Sequence, residues 1–260
     1  MATENYYLTL TCPNKPGIVA AVSTYIFELG GDIEEAQQFD DKASKRFFMR
    51  VSFSCSANAD VLRAGFLEIA KRFELTWELR AVKDLKRVLI MASKLDHCLV
   101  DLLYRWRIGE LPMIICGIVS NHPRDVYASI DFADIPFYHL PVTPDTKPAQ
   151  EAKLLEIIAE NKVDMVILAR YMQILSDDLS TKLSGRCINV HHSFLPSFKG
   201  AKPYHQAHAR GIKLIGATAH FVTSDLDEGP IIEQEVVRVS HRDGLEDLLQ
   251  KGRDLEKVVL

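Results

Sequence analysis

The sequence pairs none of its cysteines. The five (Cys12, Cys55, Cys98, Cys116 and Cys187) are odd in number and widely spaced, with no Cys-x-x-Cys among them. That suits reduced thiols in a cytoplasm better than a disulfide framework or a zinc ribbon. No apolar run approaches the roughly 18 to 20 residues of a membrane span. The start, Met-Ala-Thr-Glu-Asn, leads straight into a β-rich run, without the basic segment and apolar core of a signal peptide. A basic excess is missing too: the net charge of -4 leaves no footprint for nucleic acid. There is no internal repeat and no low-complexity tract. These absences lead to the expectation of a soluble cytoplasmic protein without membrane or nucleic-acid partners.

What is present suffices for two modules. Tyr6 to Thr11 reads as a strand, broken by Pro13-Asn14-Lys15-Pro16-Gly17. Ile18, Val22, Tyr25, Ile26 and Leu29 recur at helical spacing until Gly30-Gly31. A strand over Ile33 to Phe39 and a polar turn follow, then the clean alternation of Phe47, Met49, Val51 and Phe53. Val61, Leu62, Phe66, Ile69 and Phe73 form a second helical stripe, and Trp77 and Leu79 close with a strand. The order is βαββαβ, the ferredoxin-like plan. With Asn14-Lys15-Pro16-Gly17-Ile18 at its first turn, this module resembles the ACT family of small-ligand regulatory domains. The resemblance implies an amino-acid effector site at Asn14, Pro16 and Gly17, and a homo-oligomer joined through such domains. The plainer alternative is that Pro16 and Gly17 merely start a helix, with Pro near its first position. The expected division is 1-83 for this module and 84-260 for the rest.

Past the charged stretch Lys83 to Arg87, short apolar runs alternate with amphipathic stripes. Strands are expected at Val88 to Ala92, Met113 to Val119, Phe137 to Leu140, Met165 to Leu168 and Cys187 to Val190. Helices are expected from a stripe running Leu95 to Trp106, near Arg124 to Phe132, at Ala149 to Glu160 and at Asp177 to Leu183. This is the pattern of an α/β domain with a mostly parallel sheet covered on both faces. Ligands in such folds sit beyond the carboxyl ends of the strands.

Chemistry concentrates in Ile188-Asn189-Val190-His191-His192-Ser193-Phe194-Leu195-Pro196. Two residues apart on a strand, Asn189 and His191 project to one face. An amide can donate to a carbonyl oxygen that turns negative, and an imidazole can supply a proton at the same centre. Farther on, His220-Phe221-Val222 opens a strand, an acidic loop follows, and Asp227 precedes Gly229-Pro230. A carboxylate there could pair with His191 and orient a water.

Asn189-x-His191, Ser193-x-Leu195-Pro196, His220-Phe221-Val222 and Asp227-x-Gly229-x-Ile231-Ile232 together resemble the folate-dependent formyltransferase family over about residues 86 to 240. The resemblance implies Asn189, His191 and Asp227 as a catalytic trio and His220 as a secondary active-site histidine. It also implies a folate pocket along Met172, Gln173, Ile174 and Leu175, within Ala169-Arg170-Tyr171-Met172-Gln173-Ile174-Leu175. His-His-Ser-Phe-Leu-Pro and the run Gly200 to Ala207 are closest to the hydrolytic members of that family, which carry an ACT domain in front. Where the transferring members hold an acceptor's phosphate on a glycine-rich loop, this chain has Ser93-Lys94-Leu95-Asp96, which reads as a capping-box-like helix start. That leaves water as nucleophile. The expected activity is hydrolysis of 10-formyltetrahydrofolate to formate and tetrahydrofolate, with a place in one-carbon and purine metabolism. Transfer of formyl to an amine, or an amino-acid-binding regulatory protein, stay open as alternatives.

No cofactor and no metal is expected. His191 and His192 are adjacent on a strand and so point apart, and His205 and His208 bring no third ligand. His192 is expected to be structural, and Asp225, Glu228, His205 and His208 to face solvent. Gly244 to Leu260 carries a helical stripe without a C-cap, and the family runs on past this point, so truncation at the C-terminus is expected.

Overall fold

The structure is a computed structural model that describes residues 3–197 and 203–260. It divides into two compact units, Met1–Leu85 and Lys86–Leu260.

In the first unit, β1 (Glu4–Pro13), α1 (Ile18–Glu28), β2 (Asp32–Asp41), β3 (Arg46–Cys55), α2 (Ala59–Phe73) and β4 (Thr76–Ala81) follow in order. The strands form one antiparallel sheet in the order β2-β3-β1-β4. Alternate residues of β1 (Tyr6, Leu8, Leu10, Cys12) meet Ile18, Val22 and Ile26 of α1 and Leu62, Phe66 and Phe73 of α2 in a single core. Val61 is not part of that stripe: it lies on the open side of α2 and is exposed. Pro16 does not take the first helical position either. Gly17 is the N-cap of α1 with φ 93, a left-handed conformation that favours glycine, and Pro16 lies outside the helix.

The second unit begins with β5 (Lys86–Ala92), which takes in Lys86 and Arg87 of the charged stretch. It continues through α3 (His97–Arg107), β6 (Met113–Ser120), β7 (Phe137–His139), α4 (Lys147–Glu160), β8 (Met165–Ala169), α5 (Asp177–Lys182) and β9 (Cys187–His191). α6 (Pro203–Ala209), β10 (Leu214–Phe221), β11 (Ile231–Arg238) and α7 (Leu245–Val259) complete it. The seven strands run β11-β10-β9-β8-β5-β6-β7. Strands β5 to β9 are parallel, and β10 and β11 are added antiparallel at one side.

Two cores cover the sheet. One gathers Ile90, Leu99, Leu103, Ile118, Ile215 and Leu248, the other Leu89, Met91, Leu154, Val166, Leu168 and Leu179. The expected helix over 124 to 132 is only a 3-10 turn at Arg124–Tyr127. It stops at Ala128, whose N–H donates to the Asp125 carbonyl, and a separate turn follows in which the Asp131 carboxylate accepts the Ala133 N–H at 2.8 Å, while Phe132 still reaches the core. Leu95 likewise precedes α3 and is exposed. From β5 the chain goes first to β6 and β7 on one side, then to β8 and β9 on the other. The carboxyl ends of β5 and β8 therefore flank the switch point where open sheets bind ligands. Among the described residues no helix is long and apolar enough to cross a membrane.

Candidate active site

Beyond the carboxyl end of β8 the chain turns sharply. Arg170, with φ 61, ends the strand and redirects Tyr171 to Leu175 along one wall of a cleft. Ser93, just past β5, secures that wall: its hydroxyl donates to Asn121 Oδ1 at 2.6 Å and accepts the Met172 N–H at 3.1 Å. Ser93 therefore does not cap α3. The N-cap is Asp96, without a side-chain cap bond, and the capping-box expectation fails because Ser93 is committed to its neighbours across the switch point. Farther along the wall, Glu151 of α4 accepts both the backbone N–H (2.9 Å) and the hydroxyl of Ser176. Met172 and Ile174 are left 52% and 61% exposed, more apolar surface than a segment so firmly tied would leave without use.

The cleft floor comes from β9 and β10. Asn189 and His191 both line it, as the period of a strand requires. His220 stands directly opposite Asn189 in the antiparallel pair, and the Asn189 amide nitrogen lies 3.2 Å from His220 Nε2. The other ring nitrogen, Nδ1, is 2.9 Å from the Phe221 carbonyl.

Asp227 arrives from the loop between β10 and β11, and glycine makes that possible. A Cβ on Gly229 would lie 1.7 Å from the Phe221 carbonyl oxygen, so only glycine lets the loop fold back so tightly. Asp227 itself has φ 58. Its Oδ2 is 3.2 Å from His191 Nδ1 and its Oδ1 is 3.7 Å from His220 Nε2. Burial pushes this carboxyl up, but its contacts with His191 and His220 outweigh burial and hold it well below the usual carboxylate range. The buried floor thus holds a fixed negative charge against an imidazole, with an amide beside it.

His192 is buried too. Burial, Arg170 and His191 push its pKa down to about 3, so it stands as a neutral ring packed edge-on to Tyr204. The loop that follows is tied to β10: Thr218 donates to the Ser193 carbonyl at 2.8 Å and accepts the Leu195 N–H at 3.1 Å, while the Gln234 amide donates to the Leu195 carbonyl at 3.0 Å. Thr218 and Gln234 carry no motif, so the sequence offered no way to find them. His205, His208, Asp225 and Glu228 are exposed. Gly200, Ala201 and Lys202 lie outside the described residues.

The remaining candidates are in the first unit. Asn14, Pro16 and Gly17 are exposed at the turn before α1, where the Asn14 N–H donates to the Lys45 carbonyl at 3.1 Å and Lys15 pairs with Glu74 at 2.5 Å.

Comparison with known proteins places the second unit in a class. The model of the formyl transferase family matches residues 86–260. The formyltetrahydrofolate deformylase of Corynebacterium sp. (strain P-1) is 50% identical over 254 residues, 96% of this chain and 88% of the relative. The crystal structure of the deformylase from Burkholderia mallei, 53% identical, superimposes with a TM-score of 0.93 over 98% of this chain and 91% of that one. The deformylase from Pseudomonas syringae pv. tomato gives 0.94 at 46% identity, over 100% and 88%. The chain belongs to the formyltetrahydrofolate deformylase family.

Proposed function

We propose that the chain hydrolyses 10-formyltetrahydrofolate to formate and tetrahydrofolate, with Asn189, His191 and Asp227 at the formyl carbon. The observation that carries this reading is the buried Asp227–His191 pair, 3.2 Å apart, on the floor of a cleft whose wall exposes Met172 and Ile174. That wall suits a flat pterin ring, with Gln173, Leu175 and His220 completing the folate-binding residues.

Asp227 holds His191 by Nδ1 and leaves Nε2 as the ring atom for chemistry. Water adds to the formyl carbon, and its oxygen becomes one of the two oxygens of formate. The former carbonyl oxygen takes up the negative charge, which the Asn189 amide and the His191 ring stabilise. The proton that the water gives up to His191 Nε2 passes to N10 as the C–N10 bond breaks, and tetrahydrofolate leaves. No step calls on a metal or other cofactor, so chelation should leave turnover unchanged.

Residues 1-83 form, in this reading, an ACT-like regulatory domain in front of a catalytic domain at 84-260. The βαββαβ order and the exposed Gly17 turn support an amino-acid effector at Asn14, Pro16 and Gly17, and an oligomer assembled through that domain. With five free cysteines, all buried, a reducing cytoplasm is the setting that fits. The test of the activity is competition: formate release from 10-formyltetrahydrofolate should proceed at the same rate with or without added amines. Formate-free transfer to an amine would replace the hydrolytic reading.

A further inference from the structure

Behind the cleft wall lies a group of charged side chains that the hydrolytic step does not use. Glu256, on α7, is 1% exposed. Its Oε2 is 2.6 Å from His97 Nε2 at the start of α3 and 3.2 Å from Arg170 Nε, and its Oε1 accepts the Tyr204 hydroxyl at 3.0 Å. The recess is built for this. A Cβ on Gly252 would stand 2.2 Å from Tyr204 Cζ, so a glycine one turn before Glu256 gives the Tyr204 ring room to lie against α7. Glycine inside a helix costs about 1 kcal/mol relative to alanine, and here it has a packing reason. Arg170 is 7% exposed, and among the described residues its Nε and Nη1 make no hydrogen bond, so Glu256 holds it as an ion pair. Arg170 and His192 also line the cleft, so the recess and the reacting site share a wall.

Two kinds of occupant fit a buried cluster of this composition. His97, Cys98 and Glu256 could converge on a metal ion, since one ligand atom from each lies within 4.8 Å of the others. The guanidinium on the same carboxylate opposes a cation there, and burial together with Glu256 pushes the Cys98 thiol up, away from the thiolate a metal needs. The groups that face the Glu256 carboxylate, His97, Arg170 and Tyr204, are an imidazole, a guanidinium and a phenol. The recess is an anion seat, and its occupant belongs to the chain.

We propose that Glu256 is a built-in anion that fills this recess, holds Arg170 against the cleft wall and shuts external anions out of it. It is a positioning residue that acts through Arg170. A deep carboxylate that breaks free would leave Arg170 uncompensated, which is the costly way to break a buried ion pair. With the seat filled, no anionic co-substrate can anchor behind the cleft, and water is left as the reactant. This last consequence rests on the hydrolytic reading; the seat itself does not.

The test uses the full chain and small anions as probes. Glu256→Gln keeps the shape and removes the charge, and its melting temperature should fall by roughly 6 °C or more. Glu256→Ala opens the seat. Acetate or inorganic phosphate at about ten times its Kd should raise the melting temperature of that variant by a few degrees over chloride at equal ionic strength. The same additions should restore part of its lost turnover, and wild type should gain nothing from them. Glu256→Gln melting and turning over like wild type would overturn the proposal, as would Glu256→Ala gaining no more from acetate or phosphate than from chloride. Should Glu256→Ala not fold, Glu256→Gln is compared with Glu256→Gln/Arg170→Met. The double variant removes the stranded charge and should melt higher than the single, and equal or lower melting contradicts the pairing. Because melting requires no turnover, a failure of the seat and a failure of the hydrolytic reading are separately visible.

Discussion

His191 is useful because three neighbours each limit it. Asp227 fixes one ring nitrogen, the strand period sets it beside Asn189, and Thr218, opposite it on β10, anchors the loop that follows. Asn189 is where the smallest change should remove the most. One preorganised donor of this kind is worth about 2.7 to 4 kcal/mol, so Asn189→Ala should lose roughly two to three orders of magnitude in kcat. A variant with near-normal kcat would remove Asn189 from the reaction. His192 tests the electrostatics. Its folded pKa of about 3 lies below the ordinary value of 6.5, so the unfolded chain binds a proton more readily in between. Stability therefore rises with pH across that window and is lost as pH falls from 6.5 toward 3, by at most about 1.4 kcal/mol per pH unit from this one ring. Urea unfolding across pH 4 to 7 should show this slope, and His192→Gln should flatten it. An unchanged slope in the variant would assign it to other groups. Asp227 is held low by His191 and His220, so its contribution to stability is fully present above the ordinary carboxyl value of 3.8 and is lost as pH falls below it.

Among the elements, the loop between β10 and β11 is tightly constrained, and it carries Asp227. Its fold-back depends on a contact at Gly229 that no side chain can share. Gly229→Ala must push the loop off the Phe221 carbonyl and carry Asp227 away from His191. A displacement of about 1 Å at a reacting group can cost roughly a hundredfold in rate, and that loss in kcat is expected with the fold retained by circular dichroism. If Gly229→Ala keeps wild-type kcat, the loop does not set the position of Asp227. The strands and most helices were legible because each carries a period of its own, and the interval Asn189-x-His191 put two side chains on one face. The turn at 124–127 is not, because Ile130 and Phe132 are apolar for the core although the helix stops at Ala128 and a second turn at Asp131 follows. Ser93 was misread for a related reason: its hydroxyl had a local role available and took a distant one at Asn121 and Met172 instead. The acidic loop before Gly229-Pro230 makes a carboxylate near His191 conceivable, and the family resemblance singles out Asp227 within it.

At the scale of the whole molecule, what stayed hidden is what joins distant parts of the chain. Arg170 and Glu256 meet from β8 and α7, and neither sits in a motif that announces the other. In the first unit, the turn at Gly17 leaves Asn14 and Pro16 exposed, and the proposed effector role has a direct measurement. One or more amino acids from a panel should raise the melting temperature of the full chain, and Gly17→Val should abolish the shift because valine resists φ near 93. A panel without a hit, or a shift that survives the substitution, argues against a site at that turn. The central claim is that water, and nothing else, receives the formyl group. It is tested most directly by incubating the protein with 10-formyltetrahydrofolate alone in ¹⁸O-labelled water and weighing the formate. Hydrolysis gives formate bearing one labelled oxygen, released in step with tetrahydrofolate. Unlabelled formate, or none until an amine is added, would contradict it.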